Sequence, residues 1–194
     1  MTDFYDFAQL SKNPADKFTL LKAPKVIWLT GLSGSGKSTL SELLVTLFSK
    51  NKILAINIDG DDLRQGINKD LGFSDEDRSE NIRRASEIAK LFLKNGIIPI
   101  CSFISPSEKI RSIAKNVIGK DLFIEIFIDC PLEVCESRDV KKHYKNARKG
   151  LIKSFTGIDS KYEVPINPDF KINTSVLSSE KCAEDIFKYI YSKL

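Results

Sequence analysis

Residues 31–38 read Gly-Leu-Ser-Gly-Ser-Gly-Lys-Ser, a set of types and spacings suited to wrapping phosphate. The glycines allow unusual backbone angles and close approach to a ligand, so successive N–H groups can converge on phosphate oxygens. The nucleotide-binding stretch expected from this pattern is Gly31, Leu32, Ser33, Gly34, Ser35, Gly36, Lys37, Ser38 and Thr39. Lys37 is expected to reach the β- and γ-phosphates, and the Ser38 hydroxyl to ligate Mg²⁺. A helix starting near Lys37 would add its positive dipole end.

A second group of charges follows at Asp59-Gly60-Asp61-Asp62. Asp59 and Asp61 are read as ending the second strand, at the carboxyl edge where open α/β sheets place ligands. Acids there can hold a metal with Ser38 (Asp59) and accept the proton of an attacking hydroxyl (Asp61). Arg64 and Arg78 are suited to gripping an anionic acceptor bidentately. The letters Asn68-Lys69-Asp70 lack the spacing of a guanine-reading motif and follow no strand, so they are set aside, as is the single histidine, His143. Residues 138–153 hold seven Lys or Arg against one Asp, which reads either as a solvated surface or as a cationic lid over phosphates. Beside the glycine loop, the lid is the stronger reading.

These residues need a scaffold, and the pattern supplies one. Apolar runs at 25–30, 53–58, 97–103, 122–129 and 170–173 read as strands, each followed by a stretch of helical spacing. Ser74 with Asp77 resembles a capping box, Gly96 ends the helix it opens, and Pro131 opens another. Alternating strands and helices predict a three-layer, doubly wound α/β fold with a mainly parallel sheet. With 194 residues, 42% of them hydrophobic, the chain suits one domain over 25–194, with a lid at about 138–168 and an N-terminal extension over 1–24. Cys101, Cys130, Cys135 and Cys182 show no C-x-x-C spacing and are expected as reduced thiols, those at 101 and 130 in the core. A net charge of +4 without interleaved aromatics argues against nucleic acid. The absence of a signal segment or long apolar run predicts a cytoplasmic protein with no membrane partner.

Several segments together resemble adenylylsulfate kinases. They are Trp28–Thr39, Asp59–Phe73, Glu76–Arg84, Phe103–Pro106, Tyr144–Gly150 and Phe155–Pro165, covering about residues 25–175. The resemblance implies a phosphate-loop kinase that transfers the γ-phosphate of ATP to the 3′-hydroxyl of adenosine 5′-phosphosulfate, with Mg²⁺. It places Asp61 and Ser105 with Lys37 as catalytic residues, Ser105 being the position described in the family as a phosphoserine; direct in-line transfer with Ser105 positioning the acceptor is the simpler chemistry. It places acceptor contacts at Asp61, Arg64, Phe73, Arg78, Asn81, Ile104, Ser105, Lys141 and Phe155, two rings for an adenine and two arginines for a phosphosulfate. It also suggests a homodimer. Asp62 stands where the family usually has Asn, Ser107 where it has an aromatic and Glu108 where it often has Arg; Lys141-Lys142-His143-Tyr144 replaces K-G-L-Y. Those acidic changes keep open a kinase with another nucleotide-like acceptor, and a non-catalytic phosphate-loop module is the third reading.

Overall fold

The computed structural model describes residues 23–194. The expected extension over 1–24 lies outside the described residues except for its last two. Five strands form one sheet: β1 (Val26–Thr30), β2 (Ala55–Asp59), β3 (Ile98–Ser102), β4 (Phe123–Asp129) and β5 (Phe170–Asn173), in the order β2-β3-β1-β4-β5. Every pairing is parallel. All five residues of β1 are fully buried, as a central strand covered on both faces demands.

The strand alternation divides the core into two. Ile27 and Leu29 face one side, with Leu40, Leu44 and Phe48 of α1 (Lys37–Lys50) and Cys182, Ala183, Ile186 and Ile190 of α7 (Ser179–Tyr191). Val26 and Trp28 face the other, with Ile82, Ala85 and Ala89 of α3 (Asp75–Lys94) and Ile110, Ala114 and Ile118 of α4 (Glu108–Ile118). Each helix buries residues three or four apart, which is one face of its spiral. The remaining helices are short: α2 (Gly60–Gln65), α5 (Leu132–Arg138) and α6 (His143–Arg148).

Local chemistry sets the boundaries. Ser74 Oγ accepts from the Asp77 backbone N–H at 3.1 Å, one arm of the expected capping box. Gly96, at φ +76°, turns the chain out of α3 in a conformation that glycine tolerates best. Ser107 accepts from the Ile110 N–H and caps α4. One placement is corrected: Asp61 does not end β2. Asp59 is the last strand residue, its carboxylate accepts from the Asp61 N–H at 2.8 Å, and Asp61 lies in the first turn of α2.

All four cysteines are buried and free, and burial pushes the Cys101 thiol well above its ordinary range. Among the described residues, no helix is long and apolar enough to cross a membrane.

Candidate active site

β1 ends in the glycine loop at the middle of the sheet, so the loop lies at the carboxyl edge between the strands that flank β1. Gly34 has φ +73°, and a Cβ there would lie 2.8 Å from the Cys135 carbonyl oxygen; only glycine fits. Gly31 is similarly crowded, 2.6 Å from the Ile128 carbonyl. Thr174 Oγ1 donates to the Ser35 carbonyl at 2.8 Å, and Arg138 Nη2 donates to the Thr174 carbonyl at 2.6 Å, bracing the loop from α5 and from the residue that follows β5. Neither Arg138 nor Thr174 was expected from the sequence, because each acts from a distant segment.

A cavity of about 840 Å³ opens along this edge, a size suited to a nucleotide-like ligand. Ser33, Gly34, Gly36, Lys37, Ser38 and Thr39 line one end of it. Gly31, Leu32 and Ser35 do not reach it with side chains. Leu32 packs instead against a small cluster of Cys130, Cys135 and Tyr144, and the buried Ser35 hydroxyl has no partner.

Lys37 is buried, and its ammonium donates to the carbonyls of Gly31 at 3.0 Å and Leu32 at 2.7 Å. Burial lowers its pKa from 10.5 to about 8, against the opposing pull of Cys135, Asp59 and Asp61. Phosphate needs the charged form, so ATP affinity should be flat at neutral pH and fall as pH rises through about 8. Calorimetric titration with ATP and Mg²⁺ is expected to give a Kd roughly tenfold weaker at about pH 9 than at about pH 7. A flat profile would remove Lys37 as the charged contact.

Ser38 Oγ donates to Asp59 Oδ2 at 2.7 Å, which joins the two expected metal ligands. An all-oxygen pair open to phosphate oxygens is what a hard cation requires. No group of three or more His, Cys, Asp or Glu able to hold a metal occurs among the described residues.

The other end, where the acceptor contacts were expected, is built from α2, α3 and four loops. Asp61, Arg64, Phe73, Arg78, Asn81, Ile104, Ser105, Lys141 and Phe155 all line the same cavity. The Arg64 guanidinium lies 4.4 Å from the Phe73 ring centre and donates to the Gly72 carbonyl at 2.8 Å. Arg78 donates to the carbonyls of Phe73 (2.9 Å) and Ser154 (2.5 Å) and to the Thr156 hydroxyl (3.1 Å). Asn68 is buried and donates to Asn81 Oδ1 at 2.9 Å, a structural role for the letters that only superficially suggest a guanine site.

The basic stretch is more than a charge run. It folds α6, and Tyr144 is 1% exposed with its hydroxyl donating to the Ser33 carbonyl at 2.9 Å. Tyr144 meets Phe155 edge-on at 5.0 Å, and His143, set aside from sequence, also lines the cavity. Lys141 contacts Asp61 as an ion pair, which raises the Lys141 pKa. Both partners are about half exposed, so the pair is solvent-screened and easily exchanged for a ligand.

The acidic departures stand off the site. Asp62 is exposed in the first turn of α2 and does not line the cavity. Glu108 bonds the Arg111 guanidinium at 3.0 Å, and Ser107 caps α4. Arg111 itself is 2% exposed and lies 3.0 Å from Glu125 of β4, although the angle falls short of a hydrogen bond. Burial pushes the Glu125 carboxyl up from its ordinary range, against the pull of Arg111.

Comparison with known proteins agrees with this architecture. The profile of the adenylylsulphate kinase family matches residues 23–173. The adenylyl-sulfate kinase of Clostridium acetobutylicum is 53% identical over 165 residues, covering 85% of this chain and 82% of that one. The Bacteroides thetaiotaomicron adenylyl-sulfate kinase is 51% identical over 180 residues, covering 92% and 90%. The solved APS kinase of Mycobacterium tuberculosis, in complex with AMPPNP and APS, superposes with a TM-score of 0.83 at 42% identity, over 87% of this chain and 98% of that one. A cavity that joins a phosphate loop to an arginine- and aromatic-lined end is thus set in a chain that belongs to the adenylylsulphate kinase family.

Proposed function

We propose that this chain transfers the γ-phosphoryl group of ATP to the 3′-hydroxyl of adenosine 5′-phosphosulfate, giving ADP and 3′-phosphoadenosine 5′-phosphosulfate. One observation carries the reading: the glycine loop, Asp61 and the acceptor-side Arg64, Phe73, Arg78 and Phe155 share one continuous cavity. Lys37 would exchange the Gly31 and Leu32 carbonyls for phosphate oxygens. Asp61 would accept the proton of the 3′-hydroxyl as that oxygen bonds the γ-phosphorus and the bond to the β-phosphate oxygen breaks. Ser38 and Asp59 would hold Mg²⁺, which when bound neutralises charge on the β- and γ-phosphates. Arg64 and Arg78 suit the phosphosulfate and the two phenylalanines an adenine face. A homodimer belongs to the same proposal and is read by light scattering.

The transfer is direct, with Ser105 binding acceptor instead of carrying phosphate; its residue is 2% exposed and its oxygen already accepts a hydrogen bond. Asp62 and Glu108 lie off the cavity wall, so the charge argument for another acceptor loses its footing. ADP release measured with ATP, Mg²⁺ and a panel of acceptors tests the whole. Turnover with adenylylsulfate supports the proposal; turnover confined to another nucleotide replaces its acceptor. No turnover with any acceptor leaves a nucleotide-binding module.

A further inference from the structure

Ser105 occupies a backbone conformation that side chains rarely adopt, with φ +45°. Strain of this kind persists only where surrounding contacts over-determine it. Here Arg111 Nη1 donates to the Ser105 carbonyl at 3.0 Å, and Thr30 Oγ1 donates to the adjoining Ile104 carbonyl at 2.7 Å. A third contact reaches the side chain: Trp28 Nε1 lies 2.9 Å from Ser105 Oγ.

An indole N–H can only donate, so at this contact the serine oxygen is the acceptor. The serine proton must then point elsewhere, and among the described residues no protein group accepts it. Ser105 lines the acceptor end of the cavity beside Ile104. We infer that Trp28 is a positioning residue: its indole N–H occupies the Ser105 oxygen and leaves that hydroxyl as a hydrogen-bond donor to an anionic oxygen of the acceptor substrate. Ser105 is also disfavoured as a nucleophile, because among the described residues its proton has no protein base.

Packing alone does not account for a tryptophan here. The ring is fully buried, stacks on Phe103 at 4.9 Å and tilts against Phe123 at 5.7 Å, contacts that a phenylalanine could also make. The N–H is the feature that needs a partner, and it finds one in a strained residue at the cavity wall. The inference rests on the kinase reading, and the two fail differently. A chain with no turnover at all removes the reading, whereas an active enzyme indifferent to the indole N–H removes only this inference.

Steady-state kinetics of Trp28→Phe, Ser105→Ala and the double variant decide it. The KM for adenylylsulfate is expected to rise about tenfold in Ser105→Ala and by roughly threefold to tenfold in Trp28→Phe, with ATP affinity unchanged. Because Trp28 acts through Ser105, the double variant should match Ser105→Ala. Losses that multiply in the double variant, or an unchanged KM in Trp28→Phe, would overturn the inference. So would a phosphoryl group retained on Ser105 in the mass spectrum during turnover. Trp28 is the sole tryptophan, so biosynthetic replacement by its benzothienyl sulfur isostere removes only the N–H should the phenylalanine variant fold poorly. The isostere is expected to show the same rise in KM, and parent-like kinetics in it would equally overturn the inference.

Discussion

Lys37→Ala is expected to lower kcat/KM by at least about 10³-fold while leaving the fold as stable as the parent or more so. The loss follows from removing a preorganised cation from a desolvated phosphate site, where one such group is worth about 10²–10³ in rate and this one also binds the donor. The stability expectation follows from the same burial. A lysine whose pKa falls from 10.5 to about 8 on folding is held charged at neutral pH against its environment. That costs on the order of 3 kcal/mol, in full below about pH 8 and fading as pH rises toward the unfolded value. Alanine removes the cost and gives up two hydrogen bonds to loop carbonyls. Calorimetric melting at neutral pH should therefore show a midpoint no lower than the parent's. Transfer within tenfold of normal, or a midpoint several degrees lower, would contradict this account.

Asp61→Asn should separate chemistry from binding. The amide keeps the shape of the carboxylate but cannot take the proton of the 3′-hydroxyl, so kcat is expected to fall by about 10²–10⁴-fold. Asp61 is exposed and its visible partner is the equally exposed Lys141, so stability should move by less than about 0.5 kcal/mol. ATP affinity should stay within about threefold, because donor contacts lie on the glycine loop and Asp59. A near-normal kcat in this variant would sink Asp61 as the base.

The phosphate-loop pattern was legible in the sequence because it is local: nine consecutive residues that follow an apolar strand and run into an amphipathic helix carry it. The five strands were legible for the same reason, as short apolar runs with turn residues between them. Strand order was not, since placing β1 between β3 and β4 depends on which faces the helices cover. Asp61 was misplaced because Asp59 caps the chain into a helix immediately after β2, a choice made by one side-chain hydrogen bond. Within the basic stretch, Tyr144 and Ala147 mark a buried face three residues apart, but the surrounding charges conceal it. Glu125 between apolar residues of β4 was a visible signal whose partner, Arg111, lies on another element. Trp28 and Ser105 are 77 residues apart, and nothing in either segment alone pairs them.

The sheet order also bears on how the protein is made. β1 leaves the ribosome first among the strands, yet its partners are Ile98–Ser102 and Phe123–Asp129, with Ile27 set against Ile100 on one side and Ile124 on the other. The glycine loop cannot acquire its braced shape until those segments have been synthesised, and its contact with Thr174 comes later still. At elongation rates of about 5–20 residues per second, the nascent chain spends several seconds with this buried, apolar strand unpaired. During that interval ATP has no preformed site to favour, so the nucleotide can stabilise the finished protein but cannot guide its assembly.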